Sequence, residues 1–154
     1  MTESLIIRRA READLPALIA LFAADELGGH GDTTDEQAFG DYLRAFHAID
    51  SSQNEQLFVA EIGDELVGTF QLLFSRTLTG RGSLSMIIEA VQTRQDMRGR
   101  GIGGQMIAHA IEEARRRDCR LVQLSSNTAR TDAHRFYERI GFAKSHYGFK
   151  MKLK

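Results

Sequence analysis

The stretch 98-RGRGIGG-104 puts four glycines into seven residues, with arginines at 98 and 100, directly ahead of 105-QMIAHAIEEARRR-117. Ile102, Met106, Ile107, Ala110, Ile111 and Ala114 recur at the spacing of one helix face, so the glycine loop opens a helix. Just upstream, 86-MIIEAV-91 lies in a predicted strand over 84–93. A strand, a glycine loop and a helix in that order bring bare amides and the positive end of a helix dipole to a ligand with few side chains in the way. Phosphate is the natural guest of such a junction.

Working outward, Leu5 to Arg9 reads as a strand, and apolar residues at 15, 18, 19 and 22 predict a helix after it. Gly28 to Asp35 is a glycine-rich loop, followed by a second helix marked by Phe39, Tyr42, Leu43, Phe46 and Ile49. The runs 56-QLFVAEI-62 and 66-LVGTFQLLF-74, joined by a turn at Gly63 to Glu65, predict a β-hairpin. Beyond the glycine loop and its helix, 120-RLVQLSS-126 reads as a short strand, 131-TDAHRFYERI-140 as a short helix and 147-YGFKMKLK-154 as a closing strand. The expected order is β-α-α-β-β-β-α-β-α-β. This is an α/β (α+β) fold with a mixed sheet flanked by helices, and 154 residues suit one domain spanning 1–154.

Composition narrows the function. No run approaches the ~20 apolar residues of a membrane span, and the N-terminal residues lack a signal peptide's apolar core, so a cytoplasmic location is expected. Cys119 is the single cysteine, which excludes an intrachain disulfide and a multi-cysteine metal site. His30, His47, His109 and His146 have no metal-ligand spacing, so no metal is expected. The net charge of −1 conceals a division: residues 1–65 hold 14 acids against 4 arginines, and the remainder holds 7 acids against 16 bases. Either the two halves attract each other across solvated faces, or they mark neighbouring sites for a cation and an anion. A nucleic-acid partner is not expected, because only 8% of residues are aromatic and no aromatic-interleaved basic groove is present in the sequence.

Three phosphate motifs compete for the loop. A P-loop needs Lys and then Ser or Thr after its last glycine, but Gln105 and Met106 follow Gly104. The string 99-GRGIGG-104 matches G-x-G-x-x-G, yet residues 119–130 contain no acid to bind a ribose, and the chain is too short for a second nucleotide-binding half. The third motif, R/Q-x-x-G-x-G/A, is satisfied by Arg98, Gly101 and Gly103. Here the chain resembles the GNAT N-acetyltransferase superfamily. The resemblance runs from about Leu84 to Phe149: 89-EAVQTRQDM-97 occupies the position of the family's fourth strand and its end, and Asn127, Phe136, Tyr137, Gly141 and Phe142 follow its final motif. Gln95 stands where many members have proline, and Thr93 replaces a common valine.

The resemblance implies a splayed central sheet and acetyl-CoA as cosubstrate. Its pyrophosphate would sit on the amides of Arg98, Gly99, Arg100, Gly101, Ile102, Gly103 and Gly104, and its pantetheine along Val91, Gln92 and Thr93. Asn127 either holds the pantetheine or caps a strand end, and Phe136 lies beside the coenzyme. Tyr137 takes the place of the general acid and Glu89 that of the base, the alternative for Glu89 being a strand carboxylate paired with an arginine. Arg94, Arg98, Arg100, Arg130 and Arg135 would surround the phosphates. The acceptor implied is the primary amine of a small molecule, with no nucleic acid and no membrane, and with homodimer formation left open. Asp25, Glu26, Asp32, Asp35 and Glu36 in the front loop predict a cationic acceptor, the alternative being a solvated loop whose acids only confer solubility. The other readings are a coenzyme-sensing module without catalysis and an enzyme acting on protein N-termini or lysines.

Overall fold

The computed structural model describes residues 4–25 and 30–154. Five strands, β1 (Leu5–Arg9), β2 (Glu55–Ile62), β3 (Glu65–Arg76), β4 (Leu84–Thr93) and β5 (Leu121–Leu124), form one sheet in that spatial order. The first four are mutually antiparallel, and β5 runs parallel to β4. Gly63 and Asp64 both take positive φ, the geometry of a two-residue turn whose twist matches the β2–β3 hairpin it closes.

β2 reads as a continuous apolar run because both faces of the sheet are covered. Leu57 and Val59 meet Leu15, Leu18 and Ile19 of helix α1 (Leu15–Ala23) and Phe46 of helix α2 (Phe39–Ser51). Phe58 and Ala60, pointing the other way, join Phe70, Leu72, Met86 and Ile88 under helix α3 (Ile102–Arg116). From α3 the core takes Ile102, Met106, Ile107, Ala110 and Ala114, the face its sequence predicts, with Ile111 at the margin. Gly68 seats this helix. A Cβ there would lie 2.9 Å from the Met106 sulfur and 3.2 Å from the Gln92 carbonyl oxygen, so any side chain at this position would displace the Met106 thioether and press on β4.

β4 changes character along its length. Ser85 to Ile88 lie between β3 and β5, in register with Leu121 to Leu124. At Ala90 the backbone turns to φ +53, and the ladder to β3 slips: Glu89 faces Gln71 while Gln92 faces Thr69. Two residues, Ala90 and Val91, thus stand opposite the single Phe70, a bulge that bends the strand. β5 ends at Leu124, so from Glu89 to Thr93 the strand is paired on the β3 side only. This is the expected splay.

Helix α4 (Thr131–Arg139) follows β5 and lays Phe136 and Tyr137, with Phe142 just beyond, against the α3 side of the core. Here the chain departs from expectation. The predicted closing strand 147–154 is not a strand: residues 143–154 carry no regular structure and lie exposed. The alternation that predicted it is real, but a strand exists only by pairing, and no strand among the described residues pairs with it.

Candidate active site

The first turn of α3 begins at Gly101, which takes φ +79, as Gly99 takes φ +80. Both positions demand glycine, since other residues enter this region at a cost of ~1–2 kcal/mol. The first amide of the helix to bond within it is that of Gln105, donating to the Gly101 carbonyl at 3.1 Å. The amides of Ile102, Gly103 and Gly104 precede it at an end that no side chain caps.

Gly103 and Gly104 are the informative pair, because neither has a positive φ. A Cβ on Gly104 would meet nothing within 4 Å, and one on Gly103 would make only ordinary contact, 3.7 Å from Phe136. The fold therefore requires neither glycine, although each weakens a helix by about 0.5–1 kcal/mol relative to alanine. Bareness without an internal reason fits close approach of a ligand to backbone. The donor set fits a coenzyme pyrophosphate: unpaired amides, a helix dipole, and Arg98 and Arg100, both exposed and without an ion-pair partner among the described residues.

The other three arginines of the predicted cluster have protein partners. Arg94 bonds Asp96 at 2.6 Å and Glu65 at 3.5 Å, and Arg135 bonds Asp132 at 3.2 Å. Arg130 reaches across to both oxygens of Asp25 at 3.1 and 3.3 Å, joining the start of α4 to the segment after α1. At this point the acidic front and basic rear of the chain attract each other directly. A second tie crosses nearby, where the Gln92 side-chain amide donates to the Leu21 carbonyl at 2.7 Å.

Glu89 sits at the splay, exposed, facing Gln71 across the ladder and without an arginine partner among the described residues. Val91, Gln92 and Thr93 follow it along the open edge, each half-buried, and the Arg98 guanidinium donates to the Thr93 carbonyl at 3.3 Å. Tyr137 is half-buried between Phe136, at 5.2 Å between ring centroids, and Phe142, at 5.9 Å. Burial raises its pKa above the usual phenol value, and the charge of Arg130 opposes that shift. Asn127 spends its side-chain oxygen on the Ala129 amide at 2.9 Å, and its carbonyl meets the His134 ring at 2.8 Å. It therefore shapes the turn into α4.

In the front loop, Asp32 accepts from the Tyr42 hydroxyl at 2.7 Å and Asp35 from the Gln37 amide at 3.1 Å. Glu26 lies outside the described residues. A cavity of about 350 Å³ opens between α1 and this loop, lined by Pro16, Ile19, Thr33, Asp35, Glu36 and Phe39 among others. Three features were not anticipated from sequence: the bend at Ala90, the seat at Gly68 and the Arg130–Asp25 bridge. No group of three or more metal-ligating side chains occurs among the described residues, and no helix there is long and apolar enough to cross a membrane.

Comparison with known proteins agrees with this geometry. The model of the acetyltransferase (GNAT) family matches residues 15–142. An aminoalkylphosphonate N-acetyltransferase of Salmonella typhimurium is 38% identical over 119 residues, covering 77% of this chain and 75% of that protein. A solved structure described as a transcriptional regulator from Bacillus halodurans C-125 is 41% identical, covers 97% of this chain and 100% of its own, and superposes with a TM-score of 0.93. The structure of AAC(6')-Iy in complex with a bisubstrate analogue of coenzyme A shares the fold at a TM-score of 0.79 and 16% identity, covering 98% of this chain and 99% of that one.

Proposed function

The chain belongs to the acetyltransferase (GNAT) family and is an acetyl-CoA-dependent N-acetyltransferase, and from that premise we propose which residues carry the transfer and what kind of amine receives it. The observation that carries the assignment is the pair Gly103 and Gly104, bare without internal need, beside the unpaired edge of β4. When bound, acetyl-CoA supplies a thioester whose carbonyl carbon accepts the amine and whose sulfur departs. The amides from Arg98 to Gly104, with the Arg98 and Arg100 guanidiniums, hold the pyrophosphate. Val91, Gln92 and Thr93 offer the pantetheine the edge of β4 that no strand among the described residues pairs, and Phe136 covers it from α4. Residues 1–154 act as one catalytic domain.

An alkylamine of pKa ~10.4 is mostly protonated at neutral pH, so a base must free its lone pair. Glu89, exposed at the splay and unpaired among the described residues, takes that proton directly or through water. Tyr137 supplies the opposite need. Its raised pKa keeps the phenol protonated at neutral pH, ready to protonate the departing sulfur.

For the acceptor, the reading best supported is a small primary amine that also carries an anionic group. The Salmonella relative acts on aminoalkylphosphonates by its name, and Arg130, whose charge acts on Tyr137, would meet such a group in exchange for Asp25, its partner in the free protein. The purely cationic acceptor is the second reading. It rests on exposed Glu36 and Glu89, since Asp25, Asp32 and Asp35 already have partners. Thiol release from acetyl-CoA across a panel of aminoalkylphosphonates, amino acids, polyamines, aminoglycosides and lysine peptides decides between them. Highest kcat/KM for an aminoalkyl acid supports the first reading, and for a polyamine the second. Coenzyme binding without release from any amine would return the chain to the sensing reading.

A further inference from the structure

The ion pair between Arg130 and Asp25 differs in kind from the structural ion pair at the other end of the chain. Arg8 meets Asp14 through two nitrogens and two oxygens at 2.8 and 2.9 Å, and turns its remaining edge to Glu61 at 3.2 Å. That is the paired fork of a guanidinium whose donors are all engaged. Arg130 instead offers Asp25 a single nitrogen, Nη2, shared between both carboxylate oxygens at 3.1 and 3.3 Å. Its Nε and Nη1 have no partner among the described residues. The two side chains are 31% and 20% exposed, so the contact is not sealed from water.

Nor do the two backbones depend on this contact. The end of α1 is closed by the Ala24 and Asp25 amides, which donate to the Ala20 and Phe22 carbonyls at 3.1 Å each, and Gln92 ties Leu21 to β4 at 2.7 Å. Arg130 is set by its amide, which donates to the Asn127 carbonyl at 2.9 Å, and by its carbonyl, which accepts from the His134 amide at 3.1 Å. What the pair does is hold a cation beside the reaction. Arg130 and Tyr137 stand seven positions apart, two turns along one side of α4, and the Arg130 charge acts on the Tyr137 phenol. A loose pair with donors in reserve at that place leaves room for a stronger partner.

We propose that Asp25 is a resident competitor for the acceptor's anionic group: its carboxylate holds the anion position of Arg130 in the free protein and yields it when an amino acid or aminoalkylphosphonate binds. This rests on the anionic-amine reading of the acceptor and adds a specificity-determining residue to it. A phosphonate or carboxylate can engage the fork with two oxygens at once, including the donors that Asp25 leaves unused. Displacing Asp25 takes the same work whatever the incoming anion, so apparent affinity falls with the fraction of Arg130 that is free. Asp25 thus raises the KM of every anionic acceptor by one common factor, and does not raise that of an amine without an acid group. For a partly exposed pair the factor is about two- to fivefold.

Steady-state kinetics at saturating acetyl-CoA test this on 2-aminoethylphosphonate, β-alanine and propylamine, which share a chain length and differ in the group at the far end. In the wild type both acids should have a higher kcat/KM than propylamine. If they do not, the anionic reading itself fails and takes the competitor with it. Given that preference, Asp25→Asn should lower KM for both acids by the same factor of about two to five, with little change in their kcat. A KM for the acids that is unchanged or raised would overturn the competitor and leave the anionic reading standing. Arg130→Gln should raise KM for the acids roughly 10- to 100-fold, as loss of a charged hydrogen bond does, and Arg130→Lys should recover part of that loss. In the Arg130→Gln background, Asp25→Asn should have no further effect on the acids, and a persisting gain would show that Asp25 acts elsewhere and overturn the proposal. One measurement needs no variant: with coenzyme A bound, ethylphosphonate, which has no amine to acetylate, should move the Arg130 Nε resonance of the wild type. No movement at ethylphosphonate concentrations that inhibit acetylation of 2-aminoethylphosphonate would also overturn it.

Discussion

The two halves of β4 share one strand and have opposite tasks. From Ser85 to Ile88 it is paired on both sides, with Met86 and Ile88 0% and 2% exposed. From Glu89 to Thr93 it is paired on one side, begins with two exposed residues and passes through a left-handed alanine. The first half is ordinary core. The second gives up a row of hydrogen bonds and accepts backbone strain, and what it gains is polar backbone and a carboxylate facing outward next to three unbonded amides of α3. The fold's stability and the site's chemistry therefore separate within the length of a single strand, at the peptide between Ile88 and Glu89.

That division predicts opposite phenotypes for adjacent residues. Ile88→Ala should lower stability by about 2–5 kcal/mol, the usual cost of truncating a buried isoleucine, read as a fall in urea midpoint. The kcat/KM of the folded fraction should stay within about twofold, because the side chain points into the core under α3. Loss of activity beyond the loss of folded protein would mean that the boundary lies earlier in the strand.

One position later the effects should reverse. Glu89→Gln should leave the urea midpoint in place, as expected for an exposed side chain, and lower kcat by roughly 10- to 1,000-fold, the scale of losing a general base. Tyr137→Phe should lower kcat similarly while coenzyme affinity holds. The pH profile separates these two roles. Burial raises the Tyr137 pKa, so the phenol stays protonated through pH ~10 and the wild-type alkaline limb lies above that value; Tyr137→Phe should lack this limb. Unchanged kcat in either variant would return that residue to a structural role.

Much of this division was legible in sequence, and the rest was invisible for definite reasons. The extent of β4, the face of α3 and the site of the hairpin turn follow from apolar periodicity and from Gly63, which are local properties. The loop is legible because glycines that take positive φ, Gly99 and Gly101, leave a direct mark on composition. The bend at Ala90 left none, since alanine is no marker of positive φ and its conformation is imposed by the sheet around it. Nor could sequence show that Arg130 faces Asp25 across 105 positions instead of a phosphate, because ion pairs between distant segments are a property of the folded arrangement. The closing strand failed for a related reason: alternation announces a strand but does not supply the edge it must pair with.

If the bend at Ala90 is imposed, it should be strained, and this gives a smaller test of about 1 kcal/mol. Ala90→Gly replaces a residue that pays ~1–2 kcal/mol in the left-handed region with one that does not, less glycine's entropic cost. Stability should hold or rise by up to about 1 kcal/mol. Ala110→Gly, in regular helix at 0% exposure, should instead lose about 1 kcal/mol. Equal losses at the two positions would show that the open half of β4 stores no strain.

The smallest expected effect probes the other wall of the site. Gly104 lies in the first turn of α3, with ordinary backbone and open space where a Cβ would stand. Were its role internal, Gly104→Ala would be harmful or neutral to the free protein. Because the fold has no use for its bareness, alanine should stabilise the free protein by up to about 0.5–1 kcal/mol through helix propensity alone. On the proposed placement of the pyrophosphate the same methyl group stands in its approach to the amides, so coenzyme A should bind more weakly. Ligand binding raises Tm in proportion to the logarithm of ligand over Kd. Melting curves with and without millimolar coenzyme A should therefore cross: the variant melts higher than wild type alone and gains less from the coenzyme. A variant that gains as much as wild type would mean that the ligand does not approach the backbone at Gly104, and the pyrophosphate would then have to be placed elsewhere along the loop.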